Sequence, residues 1–298
     1  MRSFVLPHAA IAALVFAACN FPAHADDDAS GREIETDSIF GFTEGSSIGD
    51  VGDKELSLDT EARVGKGGTR YWGSDSKLGF EFTPNRYIQL EFGPFVSAHS
   101  IKDVAGLDDR EQVAFGGLFG EIKYRLLDRT PALPLALALS AEPEWRRIDE
   151  TSGDRVDNLG LELKLDGDLE LVKDRLYLGG NLLYEPEATH DPDHIGAGWA
   201  MESTSGISGA LAYRAAPAVV VGAEAWYLRH YDGAWFNDFT GDAVYVGPTL
   251  FVQLGPKASI AAAWNVQVHG READDADAKL NLSDFSRQRA KLKLAVEF

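Results

Sequence analysis

Apolar and polar residues alternate in twelve separate stretches from residue 53 onward, and this pattern restricts the possible folds more than any other feature. Between Leu133 and Trp145 the odd-numbered residues carry no charge, whereas the opposite parity includes Glu142, Glu144 and Arg146. Successive side chains of a β-strand point to opposite faces, so this period of two predicts strands with one apolar face. The predicted strands are 54–64, 76–83, 86–98, 113–127, 132–146, 159–171, 175–186, 199–213, 218–230, 243–254, 258–269 and 285–298.

The connections between these strands alternate in length. Five are tight turns, and these contain Pro, Gly, Asn or Asp: 83–86, 128–131, 172–175, 214–217 and 255–258. Six are longer polar loops, at 65–75, 99–112, 147–158, 187–198, 231–242 and 270–284. An up-and-down barrel with both termini at its short-turn end has this pattern, and outer-membrane barrels have short periplasmic turns and longer external loops.

The position of aromatic residues separates a membrane barrel from a soluble periplasmic β protein, which is the alternative. Aromatic rings anchor barrels at both membrane interfaces. On the apolar parity, membrane-anchoring aromatics are predicted near the short turns at Phe82, Tyr124, Tyr213 and Phe298, and near the long loops at Trp145, Tyr184, Trp199 and Tyr227. Trp264, near mid-strand, does not fit. The prediction is an all-β, twelve-stranded antiparallel up-and-down transmembrane β-barrel over residues 53–298.

The N-terminal residues predict export. Residues 1–25 contain Arg2, an apolar run too short to span a bilayer, and the sequence Ala-His-Ala at 23–25, as in a cleavable signal peptide. The only cysteine, Cys19, lies in this segment, so no disulfide is expected in the mature chain. Residues 26–52 are predicted to be a periplasmic segment that leads into the barrel, and the predicted location is the cell outer membrane. Removal of residues 1–25 changes the formal charge from −19 to −20, which argues against nucleic acid as a partner.

The last strand ends the chain on an aromatic residue. In "KLKLAVEF", residues 291–298, Leu292, Leu294, Val296 and Phe298 share one face. A barrel in lipid must pair every backbone group, so this strand has to pair with the first. It resembles the C-terminal assembly signal of Gram-negative outer-membrane proteins, which implies the barrel assembly machinery as a partner, although Val296 stands where an aromatic is frequent.

A second resemblance lies at residues 40–66, "FGFTEGSSIGDVGDKELSLDTEARVGK". This stretch resembles the opening of a group of proteobacterial outer-membrane channels or transporters, and the resemblance implies a transport function without naming a substrate.

The inward parity carries charges of both signs, and these are the predicted pore-lining residues: Asp59, Glu61, Arg63, Glu91, Lys123, Arg125, Glu142, Glu144, Arg146, Glu162, Lys164, Glu202, Glu224, Arg287, Arg289, Lys291 and Lys293. Twelve strands predict a bore between that of a filled eight-stranded barrel and that of a porin. Small inward residues on strands eight to eleven, such as Gly206, Gly222 and Ala261, leave room on one side. We expect small solutes to pass through the lumen passively, with weak ion selectivity. The outer face of the barrel is expected to contact outer-membrane lipid. The alternative is a structural or surface-interaction barrel without an open pore.

Closing the barrel would set the basic ladder of the last strand, from Arg287 to Lys293, beside Glu55, Asp59 and Glu61 of the first. Because opposite charges on neighbouring strands stabilise a sheet, this ladder is predicted to be mainly structural.

No motif predicts an enzyme, a cofactor or a metal site. No Ser stands two residues after His269, so the His-x-Ser arrangement of outer-membrane phospholipases is missing there. The acidic stretches 189–194 and 272–278 could offer oxygen ligands to Ca²⁺ or Mg²⁺, but solvated loops are the favoured interpretation.

Overall fold

The computed structural model describes residues 35–130, 132–193, 196, 198–275 and 277–298. The predicted signal peptide and Cys19 lie outside these residues. The described residues form twelve strands: β1 Lys54–Val64, β2 Arg70–Asn85, β3 Ile88–Lys102, β4 Arg110–Leu127, β5 Leu135–Ile148, β6 Arg155–Val172, β7 Leu176–His190, β8 Ala200–Ala216, β9 Val219–Asp232, β10 Phe239–Gly255, β11 Ala258–Glu272 and β12 Gln288–Glu297.

Each strand pairs antiparallel with its neighbours in the chain, and β1 pairs with β12 to close a barrel. The predicted fold is therefore confirmed. The β1–β12 ladder runs from Glu55 opposite Glu297 to Val64 opposite Gln288, and the Phe298 N–H donates to the Lys54 carbonyl at 3.0 Å. The chain thus remains paired up to its last residue, as closure of the sheet requires.

Most strands extend beyond the predicted bounds at the long-loop end. For example, β2 begins at Arg70 rather than at residue 76, and β6 begins at Arg155 rather than at residue 159. The apolar alternation stops where the outward face becomes polar, but the backbone groups beyond that point still need partners and continue the ladder. Periodicity therefore underestimates these strands.

The outward face is apolar along the middle of the wall. Leu58, Leu139, Leu163, Ile207 and Leu250 are exposed there, as are most outward neighbours of the same parity. Within the described residues, no helix has the length and apolar character needed to cross a membrane. The inward face carries the charged side chains and surrounds the lumen.

Candidate functional site: the barrel lumen

The chain enters the lumen before β1 begins, as a compact loop over residues 36–47 that we call the plug loop. Its ends meet, because the Asp37 N–H donates to Ser47 Oγ at 2.8 Å and the Gly45 N–H donates to the Asp37 carbonyl at 3.3 Å. A Cβ on Gly45 would lie 2.2 Å from the carbonyl oxygen of Thr36, so this close approach requires glycine. Since β1 starts at the short-turn end, the plug loop occupies that half of the barrel.

An apolar pocket on one side of the lumen receives the plug loop. Ile39 and Phe40 are at most 1% exposed. The pocket is formed by Tyr177, Ala210, Ala212, Val220, Phe251 and Ala261. Burial of the two plug side chains contributes roughly 1.5–3 kcal/mol each. The small inward residues on β8 to β11 predict free space on this side of the lumen. The structure contains this space, and the plug loop fills it.

Two buried carboxylates hold the backbone of the plug loop. Glu224 on β9 accepts hydrogen bonds from the Thr43 N–H at 2.8 Å and the Phe42 N–H at 3.2 Å. Asp168 on β6 accepts one from the Ser46 N–H at 2.8 Å. A buried backbone N–H needs a hydrogen-bond partner, so these two side chains position the loop.

Ion pairs attach the plug loop to the opposite wall. Asp37 pairs with Lys123 on β4 and lies 3.5 Å from Lys293 on β12, while Glu44 Oε1 lies 2.8 Å from Lys164 Nζ. Burial alone would raise the pKa of both carboxyls, but the neighbouring ammonium groups outweigh it and hold each pKa below its ordinary value. Both acids are therefore charged near neutral pH.

A cavity of about 480 Å³ extends from the plug loop toward the long loops. Among the described residues that line it, seventeen are Asp or Glu and seven are Lys or Arg. The potential inside therefore depends on which acids are neutralised by the bases.

At the β1–β12 seam, three of the four bases of the predicted ladder, all but Arg287, have acidic partners. Lys291 Nζ lies 3.1 Å from Asp59 Oδ2, and Arg289 Nε donates to Glu61 Oε1 at 2.8 Å. Lys293 lies 3.9 Å from Glu55. The ladder of basic side chains on β12 is thus neutralised by the acids of β1 and by the plug loop.

A second network neutralises the bases between β1 and β5. Asp75 accepts hydrogen bonds from Arg63 at 2.6 Å and from Arg146 at 3.1 Å. Glu144 lies 2.7 Å from Arg146 and 3.0 Å from Lys77. Each of these three bases has at least one carboxylate partner.

Several acids that line the cavity have no basic partner. In the part of the chain that the structure describes, neither Glu185 nor Glu187 pairs with a Lys or Arg side chain, and Glu187 accepts from the Asn158 amide at 2.8 Å. Glu202 on β8 lies 3.4 Å from His230. Glu81, Glu91 and Glu121, on β2 to β4, likewise pair with no Lys or Arg side chain among the described residues, so the acids without a basic partner are distributed around the cavity.

Thirteen of the seventeen predicted pore-lining side chains border the cavity: Asp59, Glu61, Arg63, Glu91, Glu142, Glu144, Arg146, Glu162, Lys164, Glu202, Arg289, Lys291 and Lys293. Lys123 and Glu224 contact the plug loop instead, and Arg125 donates to the Ile48 carbonyl just after it. Arg287 does not lie in the lumen wall, because it is exposed in the loop just before β12 begins.

The eight predicted anchoring aromatics lie on the outward parity, and six of them are within three residues of a strand end, whereas Tyr184 and Tyr227 lie further inside β7 and β9. Tyr124, Trp199, Tyr213 and Phe298 are exposed, and Phe82, Trp145, Tyr184 and Tyr227 are half-buried.

The plug loop is what sequence reasoning missed. The sequence predicts that residues 26–52 lie in the periplasm and lead into the barrel, whereas residues 36–47 fold back into the lumen. Two signals pointed to it: the Gly- and Ser-rich stretch 41–49, suited to tight turns, and the small inward residues of β8 to β11.

Among the described residues, no group of three or more His, Cys, Asp or Glu side chains is arranged to hold a metal ion. His194, at the end of the acidic stretch 189–194, lies outside those residues.

Residues 32–298 match a protein family described as a family of unknown function, DUF6662. The chain belongs to this family. No curated protein matches this DUF6662 member.

Solved structures similar to the DUF6662 barrel include the COG4313 outer membrane channel from Pseudomonas putida F1, with 14% sequence identity and a TM-score of 0.56 over 85% of this chain and 98% of that one. The NanC porin is 10% identical, with a TM-score of 0.46 over 82% of this chain and 98% of the porin. At such low identity the likeness concerns the fold. The resemblance to outer-membrane channel proteins that the sequence indicated is confirmed at that level.

Proposed function

We propose that this DUF6662 protein is an outer-membrane channel through which small solutes pass passively, and that the plug loop restricts its short-turn end. The observation that carries the proposal is the charged cavity of about 480 Å³ inside a closed barrel with an apolar outer wall. Charged side chains inside a barrel have to be paired or hydrated, and this lumen contains more acids than its bases can pair.

The excess acids favour cations. The bases of β12 and of β1 to β5 are paired with carboxylates, whereas several lining acids, Glu81, Glu121, Glu185 and Glu187 among them, have no basic partner in the described chain. Acidic side chains in a narrow passage favour cation passage. The preference is expected to be modest, because the ion pairs leave charges of both signs along the path.

The same proposal includes the partners expected from the sequence. The apolar wall suits outer-membrane lipid, and β12 with its terminal Phe298 suits the barrel assembly machinery. We assign no catalytic role to the lumen and no binding of nucleic acid.

A structural barrel without an open pore is the second candidate, and one observation favours it. Ile39 and Phe40 are buried almost completely, so the plug loop is held firmly across the short-turn half.

Planar-bilayer recording of the refolded mature protein separates the two candidates. We expect a small, cation-preferring current that rises when residues 36–47 are replaced by a Gly/Ser linker of equal length. A Gly/Ser replacement of residues 273–278, in an external loop, is the control and should leave the current unchanged. Absence of current from both the native chain and the plug-loop variant would support the sealed barrel and overturn the channel.

A further inference from the structure

The loop between β9 and β10 folds back over the outer wall of the barrel, and we call its residues 233–238 the rim loop. The Gly233 N–H donates to the Met201 carbonyl at 2.7 Å, and Ser203 Oγ donates to the Gly233 carbonyl at 2.7 Å. Ser203 lies on the outward parity of β8, yet it is only 1% exposed. The rim loop therefore covers the outer face of β8 at the long-loop end.

The rim loop presents two large aromatic side chains. Trp235 is 77% exposed and Phe236 is 55% exposed. Trp235 stacks against Tyr184 of β7 with ring centres 6.2 Å apart, and Phe236 packs edge-on against Tyr231 at 5.5 Å. Phe236 has a φ of 55°, which is uncommon for a residue with a side chain. Contacts on two strands thus hold exposed rings in a fixed place on the outer wall.

An arginine without an acidic partner lies beside Tyr231, the ring against which Phe236 packs. The guanidinium of Arg229 lies 4.7 Å from the ring centre of Phe239 and 5.4 Å from that of Tyr231. Its neighbour Arg271 pairs with Asp242 at 2.8 Å, but among the described carboxylates none pairs with Arg229, and its Nε has no hydrogen-bond partner. In a chain with a formal charge of −19, this outward cation suits an anion that comes from the membrane side.

A shallow apolar groove of about 570 Å³ lies on the same wall, toward the middle of the barrel. Its lining residues on the outward parity are Leu178, Gly209, Leu211, Ala223, Ala225 and Val246. Gly209 is paired with Ala225, and four residues further along β9 Arg229 is paired with Ser205. At about 3.3 Å per residue the groove and the arginine are separated by roughly 13 Å along the strand. Groove, cation and rim loop therefore follow one another along β8 and β9.

We propose that this part of the wall binds a phosphate-bearing glycolipid of the outer leaflet. An acyl chain lies in the groove, a phosphate meets Arg229, and the rings of the rim loop contact the sugar. The long-loop end of an outer-membrane barrel faces outward, where such a lipid is found. The inference rests on the outer-membrane location in the proposed function but not on an open pore.

The test is native mass spectrometry of the folded barrel in detergent, titrated with bis-phosphorylated lipid A. We expect binding to weaken about tenfold in Arg229→Gln, because a hydrogen-bonded charge pair is lost. Ala225→Leu, which fills the groove, should weaken it similarly. Arg86→Gln is the matched control, since Arg86 also lies over a tyrosine ring, 4.4 Å from the centre of Tyr87, but in a short turn at the opposite end.

Three results would overturn the proposal. They are unchanged affinity in Arg229→Gln, an equal loss in Arg86→Gln, and equal binding of lipid A that lacks its phosphates. A gel shift on boiling verifies that each variant is a closed barrel, and Trp235→Ala provides a further variant should Ala225→Leu fail to fold. Lipid binding by a barrel that passes no current would refute the channel and leave the lipid site standing.

Discussion

Single charged residues of the lumen have two different tasks. Lys123 and Lys164 hold the plug loop through Asp37 and Glu44, while Arg289 and its neighbours on β12 stabilise the seam. Because the bases are engaged in these contacts, the acids left over determine the charge that a solute meets.

Replacing both Arg289 and Lys291 by Gln should lower the free energy of unfolding by about 1–3 kcal/mol, because Asp59 and Glu61 lose their partners. The reversal potential should shift modestly toward cations. Thermal unfolding in detergent and bilayer recording measure the two effects. Lys173→Gln with Arg175→Gln, an exposed pair in a short turn, is the control. Unchanged stability together with reversal of a strong anion preference would make the ladder a selectivity element.

Acid should release the plug loop. The ordinary pKa values of Asp37 and Glu44 are 3.8 and 4.5, and docking lowers both. The docked state therefore binds fewer protons than the released state, so its stabilisation is complete above these values and decreases as the pH falls through them. We expect the current to rise below about pH 4. Asp37→Asn with Glu44→Gln should remove most of this dependence, whereas a current independent of pH in the native chain would contradict the role of the two acids.

At the scale of elements, the plug loop and β12 close different parts of the barrel. The plug loop fills the lumen, and β12 completes the ring of strands with its ladder to β1. The two elements also contact each other, because Asp37 of the plug loop lies 3.5 Å from Lys293 on β12.

A disulfide should lock the plug loop to β8. Thr43 Oγ1 and Ser208 Oγ lie 3.0 Å apart, close enough for a Thr43→Cys and Ser208→Cys pair to bridge. Cys19, the only cysteine of the chain, lies in the predicted signal peptide, so competing thiols are not expected. The oxidised protein should conduct less than the reduced protein and should lose the rise in current at acid pH. Thr43→Cys alone, treated with the same oxidant, is the control, and equal currents in both redox states would argue against movement of the loop.

Deletion of Phe298 should impair membrane assembly more than shortening an external loop. The residue bonds to Lys54 through its N–H, and its ring lies 6.3 Å from that of Phe80, so its loss opens the end of the seam. The whole stretch 270–284 is not a suitable comparison, since Asn281 within it is buried, and removal of residues 273–278 is the better control. The yield of protease-resistant barrel in outer membranes measures the effect, and equal losses would count against a terminal assembly signal.

At the scale of the whole molecule, a closed ring of twelve strands contains no edge strand. Unfolding must break a complete ladder between two strands and also expose the plug loop, so the barrel should open cooperatively.

We therefore expect the mature protein to migrate differently on a gel before and after boiling in detergent, with a β-rich circular dichroism spectrum before heating. The plug-loop linker variant should keep the shift, because the ring of strands remains closed, but should lose it at a lower temperature. A helical spectrum, or solubility of the native protein without detergent, would refute the membrane barrel.

Strand number, antiparallel order, and which parity of each strand faces outward could be predicted because they follow from local alternation and connection length. The alternation is visible among consecutive residues within single stretches, such as Leu133 to Trp145 and 291–298. The pairing of the ladder on β12 with the acids of β1 could also be predicted, because closure of the sheet sets the free edge of the last strand against that of the first.

The plug loop, the unpaired acids of β7 and the folded-back rim loop were decided by tertiary structure. Thr43 meets Glu224 across 181 positions of the chain, and Thr36 meets Asp168 across 132. In the sequence, Trp235 is an ordinary loop residue. Its place on the outer wall follows only from the fold, in which Ser203 of β8 donates a hydrogen bond to Gly233 of the rim loop. Such contacts depend on shape and charge brought together from distant strands, and periodicity contains no information about them because it describes only a residue and its near neighbours.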